Sequence, residues 1–189
     1  MKYKIGENMA DENQDMSIAQ RFASKVILKV SKIIKVEQHP GGNLLYILTL
    51  DCGDKDENGN DIPRQIVSSI VPFYKAEELL NKNIVLVYNL KPANFRGVRS
   101  NGMLLAASDA NEKEHETCEV LFAPQFEVGT ILEPEGFSVP EEKLCYVKPD
   151  KFFEMPLYTK DGFVEIDGKK LTANGKYLKA EKYINGNVG

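Results

Sequence analysis

Tryptophan is absent from this chain, histidine occurs only twice, and cysteine three times among 189 residues. Each scarcity removes a class of chemistry. His39 precedes a proline and His115 sits inside EKEHE; neither has a second histidine at metal-ligand spacing, a cysteine partner or a GxSxG elbow. They read as a turn residue and a surface residue. Cys52, Cys118 and Cys145 are odd in number, widely spaced and without a CxxC pair. That pattern speaks for free thiols in a reducing cytosol rather than a disulfide framework or a zinc site. No apolar run reaches the roughly 20 residues that a membrane helix needs. The opening MKYKIGENMADENQDM has no apolar signal-peptide core. Walker and GxGxxG phosphate loops are missing too. DKDENGND carries the acids of a calcium loop, but Gly59 stands at the wrong offset and no Glu closes the frame. The expectation is a cytoplasmic, non-catalytic protein with no metal, no cofactor and no membrane attachment.

What is present is uneven charge. The net charge is −4 and the isoelectric point about 5.4. Residues 22–108 nevertheless hold eleven Lys and Arg against eight acids, whereas residues 109–142 hold ten acids against Lys113 alone. Residues 143–189 return to nine Lys against six acids. An acidic whole excludes an indiscriminate polyanion binder, but not a local cationic face.

Residues 1–21 are polar and read as a flexible leader or linker, with a helical turn near SIAQRF. From Val26 the texture becomes β-branched. VILKVSKIIKV, LLYILTLD, RQIVSSI, NIVLVYNL and GMLLAAS read as strands, separated by Gly-, Pro- and Asn-rich turns. FYKAEELLNK, between the third and fourth, has helical spacing. Five strands with one short helix between strands three and four is the order of an OB-fold, a Greek-key barrel; an SH3-like barrel or an incomplete sandwich is the alternative. CEVLFA adds a further short strand. The fold class is therefore mainly all-β. Residues 22–135 form the OB-fold and residues 136–189 a small β-rich C-terminal module packed on the barrel, its FVEI, KKLT and YLKAE runs divided by DG and NG turns.

NLKPANFRGVRSNGMLLAAS, residues 89–108, crowds Lys91, Arg96, Arg99 and Phe95 into one punctuated turn. A solvated loop is one reading and a grip on phosphates the other; composition alone leaves both open. In order, VSKIIKVEQHP…LY, PRQIVSSI and NLKPANFRGVRSNGMLLAAS resemble the tRNA-binding OB domain of the endothelial monocyte-activating polypeptide II family. That family includes stand-alone tRNA-binding proteins and domains appended to methionyl- and tyrosyl-tRNA synthetases. The likeness covers residues 22–135, and the C-terminal module resembles the extension of its longer members.

The resemblance implies binding to the outer corner of folded tRNA by shape, in association with an aminoacyl-tRNA synthetase. It also implies a monomer, because the extension imitates the dimer partner of shorter relatives. Carried over by motif, the tRNA-binding candidates are Lys32, Arg64, Asn89, Lys91, Arg96, Ser100 and Met103, with Arg99 added as a local inference. Phosphate contact falls to Lys32, Lys91 and Arg96, and hydrogen bonding to Asn89 and Ser100. Structural alternatives are a strand-turn cap for Asn89, an ion pair for Arg64, core packing for Met103 and loop anchoring for Phe95. Ser31 and HPGGN depart from the family's usual glycine and acidic turn. Two other function classes stand beside this one: a protein-interaction or cytokine-like signalling domain, and a generic single-strand-binding OB-fold.

Overall fold

The computed structural model describes residues 15–113, 115–140 and 145–189. Most of the expected leader (residues 1–14) and the acidic pair Glu141–Glu142 lie outside the described residues. Chain order begins with helix α1 (Ile18–Lys25), where Ser17 Oγ accepts the Gln20 amide at 3.1 Å. That cap supplies an acceptor for one of the orphan N–H donors at a helix start. Ala19, Phe22 and Ala23 share its buried face. The helix is longer than the single turn expected at SIAQRF, and it packs into the core rather than linking loosely.

Strand β1 (Leu28–Gln38) pairs antiparallel with both β2 (Tyr46–Asp51) and β4 (Asn83–Val87). Strand β3 (Arg64–Ser68) pairs with β2, and helix α2 (Ala76–Leu79) lies between β3 and β4 in sequence. Strand β4 also pairs with β7 (Met103–Leu104). The ring closes where the Asn101 amide donates to Gln65 O at 2.9 Å, joining the approach to β7 back to β3. This is the OB connectivity, with the short helix in its expected place. A register shift between Ile33 and Lys35 marks a β-bulge in β1. Its extra residue lets both Ile33 and Val36 join the barrel interior despite their odd spacing.

The expected fifth strand is divided into β7 and β8 (Ala106–Asp109), and CEVLFA contributes β9 (Glu119–Val120). Strand β10 (Ile131–Pro134) was not evident from sequence; it pairs with β1 and with β13 (Lys169–Ala173). The C-terminal module consists of α3 (Pro149–Phe153), β11 (Leu157–Lys160), β12 (Phe163–Ile166), β13, β14 (Lys176–Tyr177) and β15 (Gly186–Val188). Its hairpins turn at Asp161-Gly162, Asp167-Gly168 and Asn174-Gly175, all six residues having φ between 50° and 82°. Those are the positive-φ pairs that DG and NG signal. Strand β15 continues onto β8, so barrel and module share one sheet path.

Two apolar clusters explain why β4 runs apolar without a break from Ile84 to Val87. Ile84 and Leu86 face the barrel interior with Leu48, Leu50 and Ile66. Val85 and Val87 face outward into a second core with Leu28, Val30, Phe152, Leu157, Val164, Ile166 and Leu171. A strand covered on both faces loses its polar alternation.

Candidate nucleic-acid interface

The stretch after β4 folds into a small antiparallel hairpin, β5 (Ala93–Phe95) and β6 (Val98–Ser100). Arg96 and Gly97 form its two-residue turn with φ of 49° and 90°. Positive φ at both positions matches the right-handed twist of the flanking strands. A Cβ at Gly97 would meet nothing within 4 Å, so glycine is needed there for conformation and not for space. Gly102 is required on both counts: its φ is 152°, and an added Cβ would lie 3.0 Å from Val87 O. The Gly97 amide also donates to Asn94 Oδ1 at 2.7 Å. RG lacks the asparagine or aspartate that advertises such a turn, which is why the hairpin reads as a loop in sequence.

The hairpin is docked at both ends. Ser100 is buried; its Oγ accepts from the Val67 amide at 2.9 Å and donates to Gly102 O at 3.0 Å. At the tip, Arg96 Nη1 donates to Gly41 O at 2.6 Å. Buried His39 joins the same two loops: its Nδ1 accepts from the Gly41 amide and its Nε2 donates to Phe95 O, each at 2.9 Å. With Nδ1 an acceptor, the proton belongs on Nε2. The β1–β2 loop, HPGGN, is thus stitched to the hairpin, and His39 does more than occupy a turn.

Asn89 is the other inward residue. Its Oδ1 accepts from the Ile27 amide at 2.9 Å, while Nδ2 donates to Lys25 O and Cys145 O, each at 2.9 Å. It ties the end of α1, the start of β1 and the entry to the C-terminal module into one knot. The hydrogen bonding assigned to Asn89 and Ser100 is therefore spent within the protein, and neither side chain reaches the surface. Met103 is half-buried, packed against the outer core.

Lys91, Arg96 and Arg99 are exposed. Among the described residues, none of the three lies within ion-pair distance of a carboxylate. Arg64 is close by but held firmly. Its Nη1 donates to Tyr88 O at 3.1 Å and Asn101 O at 2.9 Å, and its guanidinium stacks 3.8 Å from the Tyr88 ring centroid. Tyr88 in turn donates to Asp54 Oδ2 at 2.9 Å, and Lys29 pairs with Asp54 Oδ1 at 2.7 Å. Burial, with the bond to Asp54, pushes the Tyr88 hydroxyl above its usual range, so it remains a donor at neutral pH. Lys29, Asp54 and Tyr88 were not singled out from sequence; Lys29 alone had a visible signal, a cation in an apolar run.

Lys32 is half-buried in the middle of β1, between Asn83 of β4 and Asp51 of β2, and among the described residues no hydrogen bond or ion pair links it to the hairpin. Two exposed aromatics stand with the hairpin's cations: Phe95, 41% exposed on the hairpin itself, and Tyr146, 65% exposed, which lines a concavity with Arg64, Pro92 and Arg99. Nothing in the local sequence of Tyr146 pointed to this position. The thiols add no nucleophile to the barrel: burial raises that of Cys52, and burial with nearby Glu112 and Glu119 pushes Cys118 up to about 11.

A closed five-stranded barrel with a cationic hairpin stitched to its β1–β2 loop is a nucleic-acid-binding module of the OB class. The family model described as a tRNA binding domain matches residues 28–130, more than half of the chain, and the chain belongs to that family. Methionine–tRNA ligase of Treponema denticola is 41% identical over 184 residues, covering 92% of this chain and 22% of the ligase. The ligase of Borrelia turicatae is 36% identical over 176 residues, covering 90% of this chain and 23% of the ligase. The chain thus spans less than a quarter of the length of these curated relatives. The C-terminal domain of Plasmodium vivax p43 shares the fold, with a TM-score of 0.74 at 24% identity over 92% of this chain and 99% of that one.

Proposed function

We propose that this chain grips the sugar-phosphate surface of folded tRNA, at the outer corner of the molecule, through the hairpin rim. The observation that carries this reading is the docked hairpin that bears Arg96 and Arg99, with exposed Lys91 two residues before its first strand, all three clear of described carboxylates. Arg96 and Arg99 offer planar forks to phosphate oxygens and Lys91 a point charge. Each neutralised phosphate releases condensed counterions, which supplies affinity without reading sequence. A hairpin held by Ser100, His39 and Arg96 presents those charges with little entropy left to lose.

In this reading the chain does no chemistry of its own. It raises the local concentration of tRNA for a methionine–tRNA ligase, as an appended domain or in trans, and two weak sites in one assembly gain effective affinity. The C-terminal module covers the outer barrel face that would otherwise need a second copy, which makes the chain a monomer. The work is done in the cytoplasm.

Competition binding tests it. Unfractionated tRNA should displace a labelled tRNA at lower concentration than single-stranded RNA of equal length, with log K falling steeply as salt rises. Equal competition by the single strand would favour a generic single-strand binder. No salt-sensitive RNA binding at all would leave a protein-interaction domain.

A further inference from the structure

The concavity beside the hairpin has a volume of about 410 Å³, within the range of small-ligand sites. Two of its walls are large apolar side chains left in solvent, Ile62 at 47% and Tyr146 at 65% exposure. Pro63 and Pro92 complete an apolar lining that costs little entropy to hold in place. The polar side of the same hollow is cationic. Arg99 has its Nε fixed by Asn101 Oδ1 at 3.0 Å, which leaves its terminal nitrogens for ligand acceptors. Arg64 is immobilised by its two carbonyl acceptors and by Tyr88. Asp54, the carboxylate of the lining among the described residues, is engaged by Lys29, by the Tyr88 hydroxyl and, at 3.9 Å, by Arg64, so its charge is compensated within the protein and Arg99 is the guanidinium left for a ligand.

Flat apolar walls, an exposed aromatic and fixed guanidinium groups beside a phosphate-binding rim match the chemistry of one unpaired nucleotide. A base offers a π-face to Tyr146 and acceptors to Arg99, while its phosphate remains at the hairpin. We propose that this hollow takes a single unstacked base of the bound RNA, stacked on Tyr146. The segment that leads into the C-terminal module would then contribute directly to RNA contact, in addition to covering the barrel. The inference rests on the tRNA-binding reading.

The test compares a short RNA duplex carrying one unpaired adenosine with the same duplex fully paired, each titrated against the full chain alongside unfractionated tRNA. The bulged duplex should bind about tenfold more tightly, the value expected for one base–aromatic stack. Tyr146→Ala should abolish that preference, and Tyr146→Phe, which keeps the ring, should retain it. Circular dichroism melting of both variants verifies the fold. Equal affinity for the two duplexes, or a preference that survives Tyr146→Ala, overturns the base-binding hollow. Should tRNA still bind with steep salt dependence in that case, the cationic rim stands; loss of salt-sensitive tRNA binding in the unmodified chain overturns both.

Discussion

Asn89 and Lys91 stand two positions apart and do opposite work. Asn89 is buried, with three hydrogen bonds to the main chain at Ile27, Lys25 and Cys145. Lys91 is exposed, and among the described residues only its backbone is committed, the amide donating to Val147 O at 2.8 Å. Asn89→Ala leaves an amide and two carbonyls without their side-chain partner in a buried knot. Unfinished buried hydrogen bonds cost about 1–3 kcal/mol each, and local relaxation recovers part of that. Urea unfolding of Asn89→Ala should therefore show a loss of about 3 kcal/mol or more. A loss below about 0.5 kcal/mol, the size usual for surface changes, would contradict the structural role given to this side chain.

At the scale of elements, sequence pattern carried much of the barrel, because its strands alternate or run apolar for definable reasons. Ile84 to Val87 run apolar without a break since both faces of the strand are covered, and the DG and NG pairs mark hairpins because those residues accept positive φ. The hairpin of β5 and β6 escaped since Arg96 holds φ 49° without a residue type that advertises it. Strands β10 and β15 escaped for another reason: each is short and gains its place by pairing across long stretches of chain. The site divides similarly. Residue type flagged the surface cations, but nothing in sequence separated an inward Asn89 or Ser100 from an outward one.

The hairpin turn can be perturbed on its own. Gly97→Val forces a β-branched side chain into φ 90°, with open space around it and no clash to relieve. Positive φ costs an L-residue about 1–2 kcal/mol, and in an exposed hairpin that strain is released by reshaping the tip. The variant should lose tRNA affinity several-fold while its melting temperature moves by only a few degrees. Unchanged affinity would mean that the shape of the tip does not matter to binding.

For the whole molecule, the outer core is the deciding feature. Leu28, Val30, Val85 and Val87 from the barrel share it with Phe152, Leu157, Val164 and Ile166 from the C-terminal module. Apolar strand faces of this kind must be buried against something, and here they are buried within one chain. Sedimentation equilibrium should give a single species near 21.2 kDa at all concentrations. A concentration-independent mass of twice that value would contradict the proposed internal substitute for a partner subunit.

A net charge of −4 is compatible with RNA binding only if the cations that matter are grouped and the acids lie elsewhere. The most direct measurement of that claim is the tRNA affinity of Lys91→Ala/Arg96→Ala across a salt series, with melting recorded alongside. Two phosphate contacts removed should reduce the slope of log K against log salt by about 1.5–2 and weaken binding at least tenfold at low salt, while loss of the exposed Arg96–Gly41 bond lowers melting by no more than a few degrees. An affinity and slope equal to those of the unmodified chain, in a double variant that melts normally, would contradict the placement of the RNA on this rim.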